Sequence, residues 1–472
     1  MLLVFPLAVT WLAAVILAVL DGRRERVGYV AVGALAASAI GLVALMVDIL
    51  RDGVAQQVAG NWAYGVGIQL RADVLDVTFA LLSVVVILVA TVFEVLGRVR
   101  SRVFPALACF MATGLIGLSL TGDAFNFYVF FEIAMISAYV LAGYGERTRQ
   151  LRAALIFIIV NLLGSVLFLI AIAGLYHLTG TLDMLEISRR IPVVNEQPSI
   201  LLATMIFVAF AVKLGIFPFH FWLAAVYTGT RPAVAAMLSG ALANIGSYGL
   251  LRFGATMPRE LELGAPVLLT LGAASIIYGG FQAISCRSAT EVLAYSSIGQ
   301  VGYILIALGI GGHVGLVAAV LFSIVNSINK TLLFLAVPLR GWLVGAVMAI
   351  AAFSVAGVPP SSGFFGKMGV FRAAVADDQP LVIALIFIGS ALSFIYMFQL
   401  YNGRFWDISA EETRDGVVPS VLARRGLVCL LAAFVIVIGV WPEPLLYLSE
   451  QAAYAIENPI QTEPIPDQLA GD

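Results

Sequence analysis

Of the 26 Lys and Arg residues in this 472-residue chain, only Lys213, Lys330 and Lys367 are lysine. All three fall inside long apolar stretches, whereas the arginines fall in or beside the polar intervals. The division has a chemical meaning. Arginine stays charged inside proteins, but lysine gives up its proton readily once desolvated. An unpaired cation at the centre of a bilayer costs about 2.5–3.5 kcal/mol even on the lenient insertion scale. Lys213 stands about thirteen residues and Lys330 about fifteen into its stretch, too deep to snorkel to water; Lys367 is less central. Glu132, in NFYVFFEI (126–133), lies roughly a third of the way through another stretch and is the natural acidic partner. A static ion pair would account for Glu132 and one lysine and leave two lysines unexplained. The four residues together read as a proton-transfer set.

The elements that must position them are membrane helices. The chain is 61% hydrophobic and 11% charged, with a mean hydropathy of +1.02, against about 25% charged in an ordinary soluble domain. A soluble globule is excluded, because it could not cover that much apolar surface. Apolar runs of helical length are expected at approximately 2–20, 27–49, 73–97, 103–121, 125–143, 153–176, 200–227, 233–253, 263–283, 291–310, 315–338, 342–374, 381–401 and 426–443. This is an all-α polytopic membrane protein of about fourteen spans. Sixteen arginines, among them Arg23, Arg102, Arg149, Arg231 and Arg424, fall in loops on one side, and seven, among them Arg71, Arg252 and Arg259, on the other. By the positive-inside rule the richer side is cytoplasmic and both termini lie outside a prokaryotic cell membrane. The first stretch has no basic residue before it and three arginines after it, the reverse of a cleaved signal, so it is read as a retained span.

Cys109, Cys286 and Cys429 are far apart, the three histidines are scattered, and no phosphate-binding loop or basic face is present. Haem, iron–sulfur, nucleotide and nucleic-acid readings therefore have no support, and no cofactor is expected. No cluster of carboxylates marks a metal or Na+ site, which is left open.

Two spans are interrupted. The seventh contains KLGIFPFHFW (213–222), with Pro218 five residues beyond Lys213. The twelfth contains AGVPPSSGFFGK (356–367), with Pro359 and Pro360 before Lys367. Proline frees carbonyls that must find other partners, and paired broken helices in matching positions mark inverted-repeat transporters. Broken spans five apart imply two five-helix units, spans 4–8 (103–254) and 9–13 (261–402), inverted because an odd number of crossings reverses the starting side. Residues 1–97 hold three preceding spans, and 403–472 the last span and an acidic outer tail. Asn161, Asn244, Ser323, Asn326 and His220 are candidate relay groups at membrane depth, completing a chain Glu132–Lys213–Asn244–Lys330–Lys367 along the midplane.

These motifs resemble the antiporter-like membrane subunits shared by Mrp-type multisubunit Na+/H+ antiporters, respiratory complex I and membrane-bound hydrogenases. The resemblance runs from about Phe104 to Tyr401. It rests on Phe127–Gly145 with Glu132, Lys213–Gly240 with PFHFW, VLAYSSIGQVG (292–302), KTLLFL (330–335) and GVPPSSGFFGK (357–367). The FFEI and PFHFW wording and lysine at 367 are most similar to the D-type branch of the Mrp antiporter subunits. The resemblance implies that Glu132 pairs with Lys213 and that Lys330 and Lys367 continue the proton path. It also implies a role as a proton-translocating subunit of a monovalent cation (Na+)/proton antiporter, a secondary transporter rather than an enzyme, partnered by other membrane subunits. The alternative is a proton-pumping subunit of a complex I-like oxidoreductase or hydrogenase. The chain departs from the pattern at Asn244, where relatives often have lysine, and before Lys330, where they have histidine. It departs again before Val292, where an Asp-x-Lys character is missing, and at Leu339–Trp342, where the link is short.

Overall fold

The computed structural model describes residues 2–58, 67, 69–99, 101–145, 148–406 and 419–458. The chain forms helices α1 (Phe5–Val19), α2 (Glu25–Asp52), α3 (Val74–Leu96), α4 (Phe104–Ser119), α5 (Ala124–Ala142), α6 (Thr148–Thr179), α7 (Met184–Arg190), α8 (Glu196–Leu214), α9 (Phe221–Gly229) and α10 (Pro232–Met237). These are followed by α11 (Asn244–Thr256), α12 (Pro258–Ser285), α13 (Ala289–Ile310), α14 (Gly312–Ala336), α15 (Trp342–Ala356), α16 (Ser362–Ala376), α17 (Pro380–Tyr401), α18 (Pro419–Val440) and α19 (Glu443–Glu457). Among the described residues, eleven helices are long and apolar enough to cross a membrane. Three shorter apolar ones, α1, α4 and α15, complete a one-to-one match with the expected stretches. Proline in the first turn starts α1, α4, α10, α12 and α17, where its missing N–H would be unsatisfied anyway.

Both expected interruptions are present. The seventh span is α8 and α9, and the twelfth is α15 and α16; each break begins at a left-handed glycine, Gly215 (φ 67°) and Gly357 (φ 83°). The eighth span carries a further irregularity with no proline to announce it: a π turn over Leu238–Leu242 between α10 and α11. Two additions depart from a purely helical bundle. Strands β1 (Ala55–Val58) and β2 (Gln69–Ala72) pair antiparallel, with Ala55 opposite Ala72. The acidic tail is not a simple extension, since its first part is the amphipathic helix α19, whose Ala452, Ala453 and Ile456 are buried and which packs against α3 and α14. Residues 459–472, and Arg100, Arg147 and Arg414 of the charge count, lie outside the described residues.

Contacts between loops sort them into two ends. At one, Gly22 N–H donates to the Arg102 carbonyl (2.8 Å), Arg424 Nε to the Phe93 carbonyl (2.8 Å) and Arg340 to the Arg404 carbonyl (3.1 Å). At the other, Arg71 N–H donates to Leu120 (3.0 Å), Arg259 pairs with Glu196 (2.8 Å) and His313 meets Glu457 (2.8 Å). Each of these pairs joins loops that the arginine count assigns to the same side.

Helix α3 touches α2, α4, α10, α14, α18 and α19, and is clamped at both ends. Asp73 and Asp76 form a reciprocal capping box on its first turn, which explains why the helix starts there. The same two carboxylates hold Arg252 of α11, at 2.7 Å from Asp73 and in direct contact with Asp76, and Tyr248 donates to Asp76 at 2.6 Å. At the far end Glu94 takes Arg231 and the Tyr144 hydroxyl (2.9 Å). Along the chain Asp73, Asp76 and Glu94 stand in loops or near span ends; in the fold all three are buried and paired. Replacing Arg252 by leucine leaves two buried carboxylates without their cation, which costs about 3–5 kcal/mol. The variant is expected to show a sharply lowered thermal unfolding midpoint and poor recovery of folded protein from membranes, whereas Arg259→Leu, at an exposed pair, leaves both nearly unchanged.

Candidate functional site

Lys213 occupies the last turn of α8, immediately before the Gly215 break. Its Nζ donates to the Asn161 carbonyl (2.8 Å) and the Ser165 hydroxyl (3.1 Å) on α6, and lies 4.5 Å from the centre of the Phe131 ring. Glu132, the next residue after Phe131, is within electrostatic reach of Lys213, Tyr128 and Tyr139. The expected Glu132–Lys213 contact is therefore a shared neighbourhood and not a direct ion pair: the lysine is turned to α6. Glu132 Oε1, the Tyr139 hydroxyl and Asn161 Oδ1 are buried there without a protein partner. Buried polar atoms of this kind are ordinarily satisfied by water.

Lys330, six residues before the end of α14 and 1% exposed, donates to the Leu293 carbonyl (3.4 Å) and to the Ser296 hydroxyl on α13. Lys367, on α16, donates to the Ala356 carbonyl (3.1 Å) and the Ser393 hydroxyl (3.5 Å), with the Tyr303 ring centre 5.1 Å away. The three lysines thus share one coordination pattern: one main-chain carbonyl and one serine hydroxyl. Two acceptors match the two N–H donors of a neutral amine and leave the third donor of an ammonium unassigned. The broken helices supply part of the pattern. Lys213 sits at the C-terminal, negative end of α8, and Ala356 is the last residue of α15, where the helix leaves its carbonyls without amide partners.

The Lys367 site continues through a hydrogen-bonded group. Gln300 Nε2 donates to the Tyr396 hydroxyl (3.1 Å) and Ser393 (3.3 Å), and Tyr396 donates to Ser393 (3.2 Å). Ser296, the partner of Lys330, stands one helical turn before Gln300 and beside Tyr396. Lys330 and Lys367 are therefore joined by Ser296, Gln300, Tyr396 and Ser393. These residues and Ser165 are absent from the candidates that the sequence suggests. Their spacing is the signal that marks them: Asn161/Ser165 and Ser296/Gln300 are four apart and Ser393/Tyr396 three apart, polar pairs on one face of apolar helices.

Asn244 follows the π turn and donates to Gly240 (2.9 Å) and to Ser327 of α14 (3.4 Å), a polar link between α11 and α14. Among the described residues no hydrogen bond joins it to Lys213 or Lys330, so the expected chain divides into two groups, Glu132/Lys213 and Lys330/Lys367. Asn161 also donates to the Phe157 carbonyl (3.0 Å). Ser323 donates to the Ala319 carbonyl of its own helix (2.7 Å), a helix-internal bond, and Asn326 is half-buried. His220 stands in the break with Pro218, against Tyr278 (ring centres 4.4 Å apart), its Nδ1 buried without a partner. Pro359 and Pro360 lie in the second break, directly after α15. Among the described residues no cluster of three or more His, Cys, Asp or Glu side chains is placed to hold a metal ion. A cavity of about 1090 Å³ opens at the arginine-rich end and reaches Tyr139.

A sequence profile described as "NADH:quinone oxidoreductase/Mrp antiporter, TM" matches residues 121–342 and 340–393. The chain belongs to this family. It is 30% identical to the D-type subunit of the Na(+)/H(+) antiporter of Alkalihalophilus pseudofirmus, over 93% of this chain and 92% of that protein. Its fold matches a chain in the structure of the Mrp complex from Dietzia sp. DQ12-45-1b with a TM-score of 0.88 at 25% identity, covering 97% of both chains. It also matches a chain of an archaeal membrane-bound sulfane sulfur reductase, with a TM-score of 0.85, 25% identity and 97% coverage of both. The family match covers Glu132 and all three lysines together with both helix breaks.

In this family member Gly357 carries two constraints. Its φ of 83° strains any L side chain, and a Cβ there would lie 2.7 Å from Cδ of Lys367. Gly357→Ala is expected to cost about 1–2 kcal/mol from the backbone alone, read as a lowered unfolding midpoint; Gly403→Ala, with nothing within 4 Å and no positive φ, leaves the midpoint unchanged.

Proposed function

We propose that this chain is the proton-translocating subunit of a multisubunit monovalent cation (Na+)/proton antiporter, with Glu132, Lys213, Lys330 and Lys367 as the groups that exchange protons. The observation that carries this reading is the common lysine site. Three buried amines, each given one carbonyl and one hydroxyl, accommodate the neutral form directly and the ammonium with one added partner. Glu132 supplies the switch. When its carboxylate is ionised it favours the ammonium at Lys213; when it is protonated that support is lost and the proton moves on. Each pKa unit of such a change corresponds to ~1.4 kcal/mol, within reach of small side-chain movements. The likeness to a relative named as a Na(+)/H(+) antiporter component supports the cation and the other subunits as partners.

The two breaks place Lys213 and Lys367 beside helix C-termini five spans apart, which supports two inverted units, 103–254 and 261–402, with 1–97 and 403–472 outside them. In this reading the arginine-rich end is cytoplasmic, both termini are outside, and protons moving inward drive cation exit. Asn244 is a relay position between the two groups, and His220 relays protons towards the cytoplasmic side.

A second reading, a proton-pumping subunit of a redox complex, is favoured by the fold match to the sulfane sulfur reductase chain. Purification of the complex through a tag on this chain separates the two: iron–sulfur proteins co-purify in the second reading and small membrane subunits alone in the first.

Exchange driven by ΔpH in inverted membrane vesicles tests the residues. Glu132→Gln, Lys213→Ala and Lys330→Ala are expected to reduce exchange at least ~tenfold with normal assembly of the complex. Ser323→Ala, whose hydroxyl is bonded within its own helix, keeps wild-type exchange. Full activity in Lys213→Ala would end this reading. Gln300→Leu, which removes the amide that donates to both Tyr396 and Ser393 without removing a titrating group, is expected to slow exchange severalfold.

A further inference from the structure

The cavity of about 1090 Å³ at the arginine-rich end is lined by Arg23, Arg102, Arg149, Arg231, Arg424 and a single carboxylate, Glu94. Glu94 is already taken by Arg231 and Tyr144. Arg424 is seated over the Phe93 ring, 4.5 Å from its centre, and Arg102 donates to the Val19 carbonyl at 3.4 Å. Among the described residues, Arg23 and Arg149 have no ion-pair partner. Among the described lining residues, Arg23, Arg102 and Arg149 carry positive charge that Glu94, already committed to Arg231, does not offset. Guanidinium groups in such an arrangement match a phosphate oxygen set.

The cavity has a second, chemically opposite wall. Val103, Val140 and Leu151 line it and are 40%, 49% and 53% exposed, so they also belong to the apolar outer surface of the bundle. Ala154 and Ile158 continue this wall along α6, one and two turns beyond Leu151. A soluble anion would use the arginines and waste the apolar flank. A phospholipid uses both. Basic pockets between membrane helices on the cytoplasmic side suit anionic headgroups, and the anionic lipids of that leaflet concentrate there.

We propose that this cavity is a binding site for an anionic phospholipid, with the phosphate among Arg23, Arg102 and Arg149 and an acyl chain along Val140, Leu151 and Ile158. The site is separate from the buried lysines and does not depend on the ion that the protein transports. Arg231 and Arg424 form its inner wall, already fixed to α3, so the site also bridges α3, α4, α6 and α18.

Photo-crosslinking in the assembled membrane complex tests this. The probe is a phosphatidylglycerol with a diazirine in one acyl chain, and labelled peptides of this chain are mapped. Labelling is expected on the segment containing Leu151 and Ile158. Unlabelled phosphatidylglycerol is expected to suppress it at least ~fivefold, with phosphatidylcholine and millimolar glycerol phosphate without effect. The Arg23→Gln/Arg149→Gln double variant should lose most of the labelling while still assembling. Competition by glycerol phosphate or inorganic phosphate as strong as that by phosphatidylglycerol would assign the site to a soluble anion and overturn the lipid assignment. Equal competition by phosphatidylcholine, or undiminished labelling of the double variant, would show that the arginines select nothing. If the double variant does not assemble, the competition arms on the wild-type complex decide the question alone.

Discussion

A polar group surrounded by hydrocarbon must find its partner within the protein, and in this chain that constraint is met by carbonyls and serine hydroxyls of neighbouring helices and, at Lys367, by a broken helix end. An intact helix spends one lone pair of each carbonyl on its own amide and can offer a lysine only the second, as at Asn161 of α6 and Leu293 of α13. At the two breaks the helix ends before the span does. Lys213 is placed at the negative end of α8, and the Ala356 carbonyl at the end of α15 is free to receive Lys367. Lys330 has no break beside it and depends on the neighbouring helix instead, taking a carbonyl and a hydroxyl from α13. The same two-acceptor environment is reached by different local routes. That convergence is the strongest structural reason to treat the three amines as one functional set.

The clamps on α3 belong to the same logic applied to rigidity. A bundle bathed in lipid gains little from burying apolar side chains against one another, because lipid is equally apolar. Paired charges at helix ends supply directional contacts. Asp73 and Asp76 hold Arg252 at one end of α3, and Glu94 holds Arg231 at the other, so the preceding three spans are tied to the eighth span across its whole height. Paired charge thus stands at the two ends of the bundle, apart from the buried lysines between them.

Much of this is legible in the residues themselves. Fourteen apolar stretches and two interruptions depend on composition along the chain, and each has a counterpart in the helices described. The site is only partly legible. Lysine in an apolar run is conspicuous, but Ser296, Gln300, Ser393 and Tyr396 are ordinary residues in membrane helices, and helix–helix hydrogen bonding is the common fate of such groups. Asp73, Asp76 and Glu94 look peripheral in sequence because distance along the chain to a loop says nothing about what packs over that loop. Ser323 looks more important than it is for the opposite reason: a hydroxyl at membrane depth can be satisfied one turn back in its own helix.

By itself the sequence determined the medium, the number of spans, the places where helices break and the identity of the titratable groups. These follow from transfer free energies and backbone geometry, which act locally on each segment. Only the tertiary structure decided which acceptor each lysine meets, that Glu132 shares a neighbourhood with Lys213 without touching it, and that α3 is held at both ends. Those outcomes depend on helix rotation and on which faces meet. The angular position of a side chain around a helix in lipid is set by its neighbours, and no single segment carries that information.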